Sequence, residues 1–116
     1  NNQDLTPGNP IEQYLNIKHF KTPDTNITLF NAYPNPFNIN IKISFYIEKE
    51  AFVKILIIDT NGNIIKTLDK NYYSSGFHKL IWSSKNDLGG IVSSGVYLAI
   101  LNYNNIIKLK KIVLIK

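Results

Sequence analysis

No cysteine occurs in the 116 residues, so neither a disulfide nor a thiolate metal site can hold this chain together. That absence leaves the redox compartment open, since exported bacterial domains also do without cysteine. Methionine is absent as well. A complete translation product starts with one, so the sequence reads as a piece of something longer, with any signal peptide upstream of it. Arginine is the third absence: all 13 basic residues are lysines. Nucleic-acid grooves favour the bidentate guanidinium fork, so a nucleic-acid partner is not expected despite the formal charge of +5. No apolar run approaches the roughly 20 residues that a membrane-spanning helix needs. Of the two histidines, His19 and His78, neither has a second ligand nearby in sequence.

With 44% hydrophobic and 18% charged residues, the chain is an ordinary globular sequence able to bury one core. Its wealth of isoleucine, asparagine and lysine resembles the codon bias of an AT-rich genome. Residues 1–26 are polar and broken by Pro7, Pro10 and Pro23, with one apolar patch (Ile11, Tyr14, Leu15 and Ile17) that suits a helical turn. They read as a linker or the end of a preceding domain. Asn26-Ile27-Thr28 matches a glycosylation sequon, which in a bacterial-looking chain is read as chance.

Residues 27–116 read as strands. Ile27 to Tyr33 is a short one, ended by Pro34-Asn35-Pro36, after which Phe37 is expected to turn back into the core. Ile39 to Ile47 alternates cleanly, with Ile39, Ile41, Ile43, Phe45 and Ile47 on one face. Ala51 to Asp59 is apolar on both faces and is expected in the middle of a sheet, covered on each side. Thr60-Asn61-Gly62-Asn63 is a hairpin signal, expected to be a type I′ turn at Asn61-Gly62, with Ile64 to Leu68 as the returning strand. Asp69 to Ser74 reads as a loop bearing Tyr72 and Tyr73.

The chain is organised around Ser75 to Leu101, SGFHKLIWSSKNDLGGIVSSGVYLAIL. His78, Leu80 and Trp82 alternate with Phe77, Lys79 and Ile81, so the single tryptophan belongs to a half-buried strand. A polar loop from Ser83 to Ser94 leads to Gly95 and a second strand. Asn104-Asn105 then turns the chain into a closing strand, Ile106 to Ile115, with Lys108, Lys110 and Lys111 interleaved. About seven strands at regular spacing and no helical period predict an all-β, immunoglobulin-like antiparallel β-sandwich.

These segments resemble the type IX secretion C-terminal sorting domains, type A. Tyr33-Pro34-Asn35-Pro36-Phe37-Asn38 matches the opening YPNPFN motif, and Gly76, His78 and Trp82 match G-x-H-x-x-x-W. Gly95-Val96-Tyr97 matches the G-[IV]-Y start of the sixth strand, and Lys111 to Lys116 the short terminal strand. The immunoglobulin-like domain of flagellar hook-capping proteins shares the middle segments, while the YPNPFN motif and the terminal lysine favour the sorting domain. One departure is Ser83-Ser84, where the family has an Asp-Gly turn after the tryptophan.

The resemblance implies a non-catalytic domain that directs an upstream passenger through the periplasm and across the outer membrane of a Bacteroidota-like bacterium, to the cell surface or medium. Its implied partners are the type IX translocon and the surface-attachment machinery. An exposed edge strand can be extended by a partner, which places the expected contact at Lys108, Lys110, Lys111, Ile112, Val113, Leu114, Ile115 and Lys116. Two rival readings are a self-assembling immunoglobulin-like module, hook-capping-like or a filament subunit, and a carbohydrate-binding module using Tyr72, Tyr73 and Tyr103.

No Ser/His/Asp order, carboxylate pair or phosphate-type glycine loop is present, so no enzyme activity and no cofactor are expected. Asp59, Asn61, Asp69, Asn86 and Asp87 carry oxygens suited to calcium, with the Asn86-Asp87 loop the first candidate. None has EF-hand spacing, and Asx residues at turns are expected to bond their own backbone.

Overall fold

The computed structural model describes residues 27–116. The linker expectation for residues 1–26, with the sequon at Asn26 and the apolar patch from Ile11, lies outside the described residues. Seven strands follow in order: β1 (Ile27–Tyr33), β2 (Ile41–Ile47), β3 (Ala51–Asp59), β4 (Ile64–Tyr73), β5 (Gly76–Trp82), β6 (Gly95–Tyr103) and β7 (Ile106–Leu114). They form two antiparallel sheets, β1-β2-β5 and β4-β3-β6-β7, packed as an unclosed sandwich. The all-β sandwich expected from the alternation is therefore the observed fold.

One strand sits elsewhere than in a constant-type immunoglobulin domain, where the fourth strand joins the first, second and fifth. Here a tight hairpin keeps β4 beside β3. Gly62 N–H donates to the Asp59 carbonyl and Asp59 N–H to the Asn63 carbonyl, both at 3.0 Å. The three residues between that pair turn with positive φ at Gly62 alone, 88°. This is a three-residue turn with its glycine in the left-handed region, not the two-residue type I′ turn expected at Asn61-Gly62. Asp59 decides the difference: its Oδ1 accepts the backbone N–H of both Asn61 and Asn63, at 2.9 Å each. At the other end, Asn104 and Asn105 carry φ of 50° and 64°, the pair of positive values that a two-residue hairpin requires.

The cores follow the period-two rule. Ile41, Ile43, Phe45 and Ile47 of β2 face Val53, Ile55 and Ile57 of β3 and Ala99 and Leu101 of β6, all buried. Ile39 does not share this face: it precedes β2 and is 57% exposed, because the strand starts only where Ile41 pairs with Trp82. The segment Asp69–Tyr73 is strand and not loop, pairing Asp69 with Ile55 and Tyr73 with Ala51. Two shifts of register, which skip Leu68 and Ile65, let both side chains pack against the core, with Lys66 and Asp69 standing opposite Ile57 and Ile55. The hydrophobic alternation of β4 is broken at those bulges, which is why a simple pattern ends it at Leu68.

β3 is central and buried on both faces, as its sequence predicts. Its second face, Leu56 and Ile58, forms a separate cluster with Ile100 of β6, flanked by Leu98, Ile107 and Leu109.

Candidate functional site

The terminal strand β7 is an edge of the larger sheet, but only part of its length is open. In an antiparallel pair, alternate residues direct their backbone groups away from the partner strand. On β7 the outward set includes Lys111 and Val113, and these meet the turn that follows β1. Asn35 Nδ2 donates to the Lys111 carbonyl at 2.8 Å, and Asn35 Oδ1 accepts the Val113 N–H at 3.0 Å. Two residues on, Phe37 N–H donates to the Val113 carbonyl and Ile115 N–H to the Phe37 carbonyl, both at 2.8 Å. Phe37 and Leu114 thereby form a parallel bridge. One side-chain amide and one residue of backbone thus take the place of a further strand.

The prolines explain how so short a segment reaches this position. Pro34 and Pro36 have no N–H to satisfy and fix the backbone on either side of Asn35, so the asparagine is presented alone toward β7. Both Tyr33-Pro34 and Asn35-Pro36 are cis. Tyr33, Pro34, Asn35, Pro36 and Asn38 lie on the surface, whereas the Phe37 ring is 2% exposed.

Beneath the clasp lies an aromatic group. Phe37 packs against Trp82 with ring centroids 5.8 Å apart, and Trp82 meets Tyr97 edge-on at 5.4 Å. Each polar handle in this group is satisfied, as buried aromatic donors require. Trp82 Nε1–H donates to the Lys85 carbonyl at 2.8 Å, and the Tyr97 hydroxyl to the Ser93 carbonyl at 2.6 Å. Ile112 and Leu114 of the terminal strand belong to the same core cluster.

Ser84 explains the departure from an Asp-Gly turn. Its φ is 63°, in the region glycine enters freely, and its buried hydroxyl donates to the Ile39 carbonyl at 2.5 Å. The serine holds this conformation, and its side chain ties the loop to the residue before β2.

The sequence motifs fall at two ends of the molecule. Asn35, Phe37, Trp82 and Tyr97 converge on Lys111–Ile115, while Gly76 and His78 stand at the far end of β5, opposite Ile47 and Phe45. His78 Nε2 is 2.7 Å from the Ser74 carbonyl, and its ring packs against Phe45 and Tyr73, 5.4 and 4.8 Å away. It is a packed, hydrogen-bonded side chain. Tyr73, expected on a loop, instead lines this end of the core, and its hydroxyl bonds to Asp69. Burial, the hydrogen bond to Asp69 and the charge of Asp69 together hold its proton on, well above the ordinary phenol range.

The residues expected to meet the translocon are differently disposed. Ile112 and Leu114 are core, Val113 is half-buried with its outward groups taken, and Lys111, Ile115 and Lys116 are exposed. Lys108 and Lys110 share the inward face of β7 with Ile112 but are only half-buried at the rim of the sandwich. Inward charges at an edge hinder unwanted strand pairing. Among the described residues the outward backbone groups of β7 are covered from Lys111 on and not before it, so the edge they leave open is narrower than the sequence suggests.

The oxygens considered for calcium are engaged locally. Asn86 Oδ1 accepts the N–H groups of Leu88 and Gly90, at 3.0 and 2.8 Å. Asp87 Oδ1 accepts Thr67 N–H at 3.1 Å and lies 3.7 Å from the Lys66 ammonium. Among the described residues no group of three or more His, Cys, Asp or Glu side chains is arranged to hold a metal ion. No described helix is long and apolar enough to cross a membrane.

Comparison with known proteins points to one family. Residues 31–116 match the secretion system C-terminal sorting domain. No curated protein matches the chain. Among solved structures, it is similar to dimeric latent PorU from Porphyromonas gingivalis, with a TM-score of 0.63 and 16% identity over 74% of this chain. It is also similar to PorZ of Porphyromonas gingivalis, described as an essential bacterial surface component of the type-IX secretion system, with a TM-score of 0.51 and 23% identity over 75% of this chain. The likeness to both is one of fold, and the matched region is 9% of the PorU chain and 11% of the PorZ chain.

Proposed function

The chain belongs to the family of secretion system C-terminal sorting domains, and we propose that it sorts a larger passenger through the type IX system, as a type A member of that family. The passenger crosses the periplasm and then the outer membrane, and the translocon and the surface-attachment machinery read the folded domain at the clasped end. The observation that carries this reading is the joining of the YPNPFN segment to the terminal strand. Asn35 and Phe37 hold Lys111, Val113 and Ile115, so the two segments that most resemble the family form one surface.

Within that surface, contact falls to exposed Lys111, Ile115 and Lys116, with the open edge of β7 from Lys108 to Lys110 beside them. Ile112, Val113 and Leu114 serve the contact by fixing the strand. Deleting residues 111–116 would remove Ile112 and Leu114 from the core and confound folding with recognition. The cleaner test exchanges Lys111→Glu, Ile115→Asp and Lys116→Glu together in a chain carrying its passenger. The passenger should then accumulate, folded, in the periplasm. Export equal to that of the parent would overturn the assignment.

A further inference from the structure

The smaller sheet carries no carboxylate. Strands β1, β2 and β5 contain neither Asp nor Glu, and apart from His78, which packs against Phe45, their charged or titratable groups other than tyrosine are Lys42 and Lys79. Ile41, Ile43, Phe45 and Ile47 of β2 are buried against the larger sheet, so the side chains that alternate with them, Lys42 and Tyr46 included, stand on the outer face. The register carries that face across all three strands. Tyr33 lies opposite Lys42 and Lys42 opposite Ile81, while Lys79 stands opposite Ser44 and Phe77 opposite Tyr46. Tyr33 is 71% exposed, Phe77 65% and Ile81 60%, and both lysines are exposed. Phe77 meets Tyr46 edge-on at 5.3 Å. Among the described residues neither lysine has a carboxylate partner. The Tyr33 side chain, which opens the YPNPFN segment, takes no part in the bonds that hold β7.

We propose that this outer face docks on an anionic lipid surface, with Tyr33, Tyr46, Phe77 and Ile81 among the headgroups and Lys42 and Lys79 on lipid phosphates. Apolar side chains scattered singly over a surface need no explanation, but four gathered on one face with two cations mark an interaction surface. The way the two kinds are mixed decides the partner. A protein interface sets a charge-depleted centre inside a polar rim, and lysine is among the residues it excludes. Here the lysines lie between the apolar side chains: Lys42 separates Tyr33 from Ile81 across the sheet, and Lys79 separates Phe77 from Ile81 along β5. A headgroup layer accepts that mixture. Aromatic rings with a polar tip settle at headgroup depth, and lysine lays its stem along apolar neighbours while its ammonium reaches phosphate. With no carboxylate on the sheet, the face favours an anionic surface over a zwitterionic one. The inference stands apart from the sorting function, because the clasp and the open edge of β7 belong to the larger sheet and lipid binding needs no translocon.

The test is flotation of the full chain with vesicles of phosphatidylcholine alone and of an equal mixture of phosphatidylcholine and phosphatidylglycerol. Binding to the mixed vesicles should exceed binding to the neutral ones by about tenfold or more and weaken as salt rises. The pair Lys42→Glu, Lys79→Glu and the pair Phe77→Ser, Ile81→Ser should each lower binding to the mixed vesicles by about tenfold or more. All four side chains are exposed, so the emission of buried Trp82 should stay as in the parent and report an intact fold. The control pair Lys54→Glu, Lys70→Glu makes the same change of charge on the outer face of the larger sheet, where the two lysines stand opposite each other, and should lower binding by less than about threefold. Equal losses from the two lysine pairs would reduce the effect to net charge and overturn the proposal. No binding to the mixed vesicles, which leaves the face to a protein partner, or parental binding by the Phe77 and Ile81 pair would overturn it equally.

Discussion

The side-chain amide of Asn35 stands where a neighbouring strand would otherwise pair with Val113. It accepts the Val113 N–H at 3.0 Å and donates to the Lys111 carbonyl at 2.8 Å, across 78 and 76 residues of sequence. A terminal strand is prone to fray because it has a neighbour on one side only. Here Lys111, Val113 and Ile115 are bonded on the side away from β6 as well, so this part of the surface proposed for recognition is held by the domain itself.

Asn35→Ala should therefore loosen the end of the chain more than the rest. Two surface hydrogen bonds are lost, with a total effect of about 1–2 kcal/mol. The local effect is the sharper readout: amide hydrogen exchange at Val113 and Ile115 should accelerate while that at Ile55 and Ile57 changes only with global stability. Uniform acceleration across all strands would show that the clasp is not a local device.

Phe37→Ala tests the other half of the clasp. The ring is buried against Trp82, so its removal leaves a cavity and should destabilise the fold by about 3–5 kcal/mol. Denaturant unfolding followed by Trp82 emission measures this directly. A loss below about 1 kcal/mol would mean that the ring merely covers the core instead of filling it.

Ser84 combines an unfavourable backbone with a buried hydrogen bond, so two substitutions should separate them. Ser84→Ala keeps the φ of 63° and leaves the Ile39 carbonyl without its donor, and should cost about 1–3 kcal/mol. Ser84→Gly loses the same bond but relieves the backbone, and should cost less. Equal losses would assign the whole effect to the hydroxyl.

Tyr73 gives the fold a sensitivity to alkali. An unfolded tyrosine releases its proton near pH 10, whereas burial and Asp69 keep it on Tyr73 in the folded chain. Above that pH the folded state binds more protons than the unfolded one, so stability is fully present below about pH 10 and declines as pH rises. Tyr73→Phe should flatten this decline in denaturant midpoints measured from about pH 9 to 11.5. An unchanged slope would remove Tyr73 from the account.

Most of the fold was legible because it rests on local patterns. Period-two alternation located β2, β3, β5 and β6, and Asn104-Asn105 announced its turn through two residues that tolerate positive φ. Three features escaped for three physical reasons. The bulges at Leu68 and Ile65 break alternation, so β4 looked shorter than it is. The carboxylate of Asp59 sets the hairpin geometry from outside the Asn-Gly pair. Ile39 has the right parity for β2 but no strand opposite it. The candidate site was legible as two separate motifs and not as one surface, because the bonds of Asn35 to Lys111 and Val113 leave no trace in either segment alone. Leu56 and Ile58 showed in the sequence that β3 has a second apolar face expected to be covered, and both are buried in the structure.

The central claim is that the folded domain suffices to direct a passenger outward. Residues 1–116 would be fused to the C-terminus of a periplasmically exported fluorescent reporter and expressed in a type IX-competent bacterium and in a strain lacking its translocon. The account predicts reporter on the surface or in the medium of the first strain, and reporter confined to the periplasm of the second. Periplasmic retention of a folded fusion in both strains would contradict it and would favour a structural, self-assembling module.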